Sequence, residues 1–191
     1  MIYLASSSPR RAELLRQIGV EFRLHATDID ETWRPGEDPE DYVMRIATDK
    51  ARSALRELGE SADRFPLLAA DTTIALDGDI IGKPADLAGC RCILERLSGR
   101  EHLVLTAVVL ATGGGLASRL NRSRVRFRPL SATEIENYCS GGEPMDKAGA
   151  YAIQGKAAMF VEQLEGSYSA VMGLPLFETA ELLREAGLAP L

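Results

Sequence analysis

Long apolar runs are missing from this sequence. No stretch approaches the ~18 residues that a membrane-spanning helix needs, and Arg10 and Arg11 interrupt the first apolar segment before it could act as a secretory leader. Cations are in the minority, 22 Lys and Arg against 28 Asp and Glu, so the formal net charge of −6 argues against a broad nucleic-acid-binding face. Aromatic residues make up only 6%, too few for a base-stacking surface. Cysteines number three, Cys90, Cys92 and Cys139, and that odd count gives no disulfide framework. Cys90-Arg-Cys92 is not a zinc spacing, and neither His25 nor His102 has a second ligand nearby. The thiols therefore read as reduced, structural cysteines of a cytoplasmic protein. No glycine stands at P-loop spacing before Gly82-Lys83-Pro84, no G-x-G-x-x-G opens a helix, and neither a G-x-S-x-G elbow nor a Ser-His-Asp set is present.

What is there suits one globular domain spanning 1–191: 191 residues, 46% of them hydrophobic, enough for a real core. Strand and helix patterns alternate. Residues 1–6 read as a strand, and Ser8-Pro9 opens a helix that Gly19 ends. EFRLHAT at 21–27 alternates like a strand, and Asp38-Pro39 opens a helix over about 39–58. LLAADTTIAL at 67–76 is an apolar strand that Asp77-Gly78 turns into DIIGKP. A helix over 86–98 precedes two long strands joined by the glycines at 113–115, and Ser131-Ala-Thr-Glu134 is a capping box. The stretch 149–166 reads as strands and turns, and Pro175 opens a last helix. This is a mixed α/β fold with an extended, partly antiparallel sheet.

Some residues contradict their surroundings, and these are the informative ones. Arg10 and Arg11 sit in the first turn of a helix, where the macrodipole prefers acids; an anion bound there would offset the conflict. Asp71 interrupts an otherwise buried strand, where an unpaired carboxylate costs several kcal/mol. It is either satisfied by amides or one Arg, or held there to work on a metal or a water. Lys50 falls within the apolar stripe of Val43, Ala47 and Ala54, so its ammonium either snorkels outward or points into a cleft. Asp28, Asp30 and Glu31 crowd one loop, as solvated acids or as oxygen ligands of the kind Mg²⁺ and Mn²⁺ take. Lys83 follows the 77–78 hairpin closely enough to reach the same place as Asp71. Gln154, in GAYAIQG, can donate and accept together, as the edge of a pyrimidine requires, or can simply be a surface residue of a turn.

SSSPRR at 6–11, AADT at 69–72, GKP at 82–84, EPMDKAGAYAIQG at 143–155 and EGSYSAVMGLPL at 165–176 together resemble the Maf family of nucleoside triphosphate pyrophosphatases. The resemblance covers nearly the whole chain. It implies an elongated mixed α/β sheet with flanking helices and two lobes around a cleft, similar to the inosine triphosphatase-like fold. It implies hydrolysis of an NTP to the monophosphate and pyrophosphate with a divalent cation, Mg²⁺ or Mn²⁺. By the same resemblance Asp71 is the catalytic carboxylate and Glu31 its metal partner. Ser6, Arg10, Arg11, Lys50, Thr72 and Lys83 fall at the substrate. The AYAIQG form, with Gln154, is typical of the branch acting on dTTP and UTP. The first motif reads SSS where many relatives carry SGS or SAS, so Ser7 is a mild departure. Relatives suggest a homodimer, and neither nucleic acid nor membrane is an expected partner. The competing reading is a nucleotide-sensing regulator of cell division that does not hydrolyse its ligand.

Overall fold

Alternating side chains on the strands divide the core between the two faces of a single sheet. The computed structural model describes residues 1–60 and 65–188. Its sheet runs in the order β2-β1-β3-β5-β6-β7: Phe22–Leu24, Ile2–Ala5, Leu67–Leu76, Glu101–Thr112, Gly115–Phe127 and Val161–Glu165. β4 (Asp79–Ile81) pairs with β3 through the Asp77-Gly78 turn. β1 is parallel to both β2 and β3, whereas β3, β5, β6 and β7 pair antiparallel in sequence.

On one face lies α2 (Pro39–Leu58), whose Ala47, Ala51 and Ala54 pack on Ala69, Ala107 and Ala111. Small residues on both sides let the helix lie close to the sheet. α1 (Pro9–Gln17) and α6 (Leu176–Glu185) cover the opposite face through Leu14, Leu15, Leu182 and Leu183. A second lobe gathers around β4, α3 (Leu87–Leu97) and α4 (Ala132–Ser140), with Phe127, Tyr138, Tyr151 and Phe160 edge to face. His102 is buried there beside Tyr151, its Nε2 2.9 Å from the tyrosine hydroxyl. Burial pushes its imidazole down to about 4, so it is neutral at pH 7. No helix among the described residues is long and apolar enough to cross a membrane.

The sheet has a gap. β1 pairs with Leu67–Ala69 and β4 with Ile74–Leu76, both on the edge of β3 away from β5. Between them, residues 70–73 have no strand beside them on that edge among the described residues. The gap lies between the two lobes.

Several expectations need correcting. Residues 149–166 form a strand only at Val161–Glu165; Ala148–Ala150 and Lys156–Phe160 are short 3₁₀ turns. A short helix, α5 (Tyr168–Met172), was not expected. Cys90 and Cys139 are not free thiols. They form a disulfide between α3 and α4, with Cα atoms 6.0 Å apart, and only Cys92 remains free. The spacing misleads because Cys90 and Cys92 lie on different sides of one helix, and the true partner is 49 residues away on a helix packed against it. Closing a loop of that length constrains the unfolded chain by about 4 kcal/mol in the chain-entropy model. Cys139→Ala, or reductant present while the chain is unfolded, should lower the urea midpoint correspondingly, and a midpoint indifferent to both would mean the sulfurs are not joined in solution.

Candidate active site

Of the residues singled out from the sequence as site candidates, all but Asp30 line one cleft, of about 620 Å³, at the gap in the sheet. Asp71 is brought there by the middle of β3. It is only 7% exposed, and its Oδ1 accepts a 2.7 Å hydrogen bond from Lys50 Nζ. The same ammonium lies 2.6 Å from Glu31 Oε1. Lys50 therefore does not snorkel. The alanine seam of α2 brings the helix near enough for the lysine to reach the cleft floor, where two carboxylates converge on one cation.

Burial pushes the Asp71 carboxyl above the usual carboxylate range; the Lys50 and Arg11 charges oppose this and offset it only in part. Glu31 goes the other way. Partial burial pushes it up, but the Lys50 hydrogen bond and the charges of Lys50, Lys83 and Arg11 outweigh that and leave it lowered. The two acids thus differ in proton affinity while sharing a partner.

The loop carrying Glu31 is fixed by α2. Tyr42 donates its hydroxyl proton to the Glu31 carbonyl at 2.9 Å. Arg45 grips Glu37 with two bonds of 2.6 and 2.7 Å and reaches the Thr32 carbonyl. Asp30 is spent within its own loop, accepting from the Thr32 amide. Asp28 stays exposed at the cleft rim. Of the three clustered acids, only Glu31 engages Lys50.

The opposite wall is the start of α1. Ser8 occupies the N-cap position, but its side chain caps nothing, and no acid lies in the first turn. Its amide donates to Ser6 Oγ at 3.1 Å instead. The helix end is thus left with uncapped amides and two arginines. Arg11 is held inward: its Nε donates to the Gly173 carbonyl at 2.8 Å, and Nη1 and Nη2 lie 3.4 and 3.5 Å from Ser6 Oγ and Thr72 Oγ1. Burial lowers its pKa, with Asp71 and Glu31 opposing. Arg10 faces Asp146 across the cleft at 3.9 Å. Lys83 and Gln154 are exposed at the far rim. Their loops are tied where Gly149, at φ +70°, donates its amide to the Gly82 carbonyl at 3.1 Å. A Cβ at Gly149 would collide with Ile74.

The sequence decides the family. The family model described as Maf-like protein matches residues 1–186. The chain belongs to the Maf family. Its relatives include the dTTP/UTP pyrophosphatase of Aromatoleum aromaticum, 55% identical over 97% of this chain and 95% of that one. The dTTP/UTP pyrophosphatase of Cupriavidus metallidurans is 53% identical over 98% of both. Among solved structures, the Staphylococcus aureus Ham1 protein aligns over 97% of this chain and 98% of its own, at 12% identity and a TM-score of 0.49.

Sequence reasoning missed Tyr42, Asp146 and Lys147 in this Maf site. Tyr42 lies two turns before Lys50 on α2, a spacing that could have placed it on the same face. Asp146 and Lys147 lie inside the EPMDKAGAYAIQG motif, which by itself assigns them no role. Lys147 donates to the Glu143 carbonyl at 2.6 Å and pairs with Asp146.

Removing the Lys50 charge would leave Asp71 buried without its nearest cation, and breaking a buried pair costs about 3–5 kcal/mol. It would also raise the folded-state pKa of Asp71 further above the unfolded value. The folded chain would then hold that proton longer, so the lost stability grows as pH rises. Lys50→Met should show a large drop in urea midpoint near about pH 8 that narrows toward about pH 5. A drop independent of pH would uncouple the lysine from Asp71.

Proposed function

We propose that this Maf chain hydrolyses nucleoside triphosphates, dTTP and UTP among them, to the monophosphate and pyrophosphate. The observation that carries the reading is the convergence of Glu31 and Asp71 on one cation, opposite an uncapped helix end bearing Arg10 and Arg11. Relatives named dTTP/UTP pyrophosphatase that match nearly the full chain support the same activity.

The donor set fits a divalent metal. Two carboxylates that already meet on an ammonium offer oxygens for Mg²⁺ or Mn²⁺, with water and phosphate oxygens completing the shell. Such an ion, held by Glu31 and Asp71, would acidify water and neutralise phosphate charge. Asp71 orients the attacking water and takes its proton. The water oxygen bonds to the α-phosphorus, the bond from that phosphorus to the bridging oxygen breaks, and pyrophosphate leaves. Arg10, with the free amides of α1, receives phosphate oxygens, and Arg11, Lys50 and Lys83 add positive charge as the leaving group departs. Arg11 also holds α1 to the Gly173 carbonyl. Gln154 meets the pyrimidine edge with its amide. The reaction belongs in the cytoplasm with the nucleotide pool, where burial of both sulfurs shields the cystine from small thiols.

Asp71→Asn should lower pyrophosphate release from dTTP about 100- to 10,000-fold, and EDTA should abolish it in the native enzyme. Near-native turnover by the variant would overturn the assignment; binding of dTTP by the native chain without any release would favour the nucleotide-sensing reading. Gln154→Ala should flatten kcat/KM across dTTP, UTP, CTP and GTP while sparing much of the rate. A uniform loss with base preference intact would remove Gln154 from base reading.

A further inference from the structure

Thr106 lies at the centre of β5, fully buried, in register with Thr72 of β3. Its Oγ1 is 2.8 Å from the Ala170 carbonyl oxygen of α5 and 3.1 Å from Thr72 Oγ1. A carbonyl oxygen only accepts. Two oxygens at 2.8 Å with no proton between them repel, so the single Thr106 hydroxyl proton goes to Ala170. Toward Thr72, Thr106 can then only accept, and the Thr72 hydroxyl proton is committed to it. What remains on Thr72 are lone pairs: one side faces Arg11 Nη2 at 3.5 Å, and the other faces the cleft.

We infer that Thr106 is a positioning residue that fixes Thr72 as a hydrogen-bond acceptor toward the nucleoside part of the substrate. The inference rests on the proposed nucleotide site. An oxygen that shows lone pairs and no proton disfavours phosphate oxygens, which also only accept. It favours a donor: a sugar hydroxyl or the ring N–H of uracil or thymine. Both donors belong to the nucleoside, and a phosphate has neither at neutral pH.

The experiment measures dissociation constants in EDTA for dTTP, its 3′-deoxy analogue and its N3-methyl analogue, with the native enzyme, Thr106→Val and Thr106→Ser. The native enzyme should prefer dTTP over one of the two analogues. Thr106→Val frees the Thr72 proton to turn into the cleft and should shrink that preference about fivefold, the scale of one neutral hydrogen bond. Thr106→Ser, which keeps the hydroxyl, should restore it. A change confined to the 3′-deoxy arm assigns the sugar hydroxyl, and one confined to the N3-methyl arm assigns the ring N–H. Unchanged preferences in Thr106→Val, or failure of the serine to restore them, would overturn the inference. If Thr106→Val does not fold, Thr72→Val removes the acceptor itself and must lose the same preference; retention would be equally fatal. Pyrophosphate release is read in parallel with Mg²⁺. Its absence alongside intact discrimination defeats the pyrophosphatase reading and leaves the role of Thr106 standing, whereas release without Thr106-dependent discrimination does the reverse.

Discussion

One ammonium between two carboxylates organises this molecule. Asp71 could not remain charged in the middle of a buried strand without Lys50, and Lys50 could not turn inward from a helix face without an anion to meet. Each excuses the other's burial. The close approach of α2 to the sheet, the alanines that permit it, and the loop pinned by Tyr42 and Arg45 all place Glu31 against the same cation. The arrangement is electrostatically balanced, since the lysine is the shared cation of both carboxylates and they are its anions.

The break in strand pairing along β3 gives that arrangement access to substrate. A continuous sheet would have sealed Asp71 from solvent on both edges. With β1 ending at Ala5 and β4 ending at Ile81, opposite Ile74, the strand is bare of described strands where its three polar residues, Asp71, Thr72 and Thr73, fall. Because side chains alternate along a strand, Asp71 and Thr72 point to opposite faces. One faces α2, Lys50 and Glu31; the other faces α1, α5 and the buried hydroxyl chain. The paired carboxylates and the buried hydroxyls are thus divided between the faces of a single strand.

Much of this was legible from residue patterns, for reasons that are local. The helix at Pro39–Leu58 and the strand at Leu67–Leu76 have the bounds that their caps and apolar spacing imply. Both halves of the Ser131 capping box form. The misplaced charges at 10, 11, 50 and 71 marked the cleft because a charge in an apolar pattern needs a tertiary reason. What escaped detection depends on contacts distant in sequence. α5 is too short to hold by propensity and forms because Ala170 and its neighbours pack on β5. Cys90 finds Cys139 only when α3 and α4 meet. Ser8 had the right identity for a cap, yet the chain turned its amide to Ser6 and left the helix end open.

The cystine lies wholly in the lobe of α3 and α4, away from the cleft floor. It braces one half of the molecule and spans no boundary. Among the described strands, β3, β5 and β6 alone run the length of both halves. Any change in the width of the cleft would therefore twist those three ribbons, together with the α5 segment, whose Met172 packs on both cores.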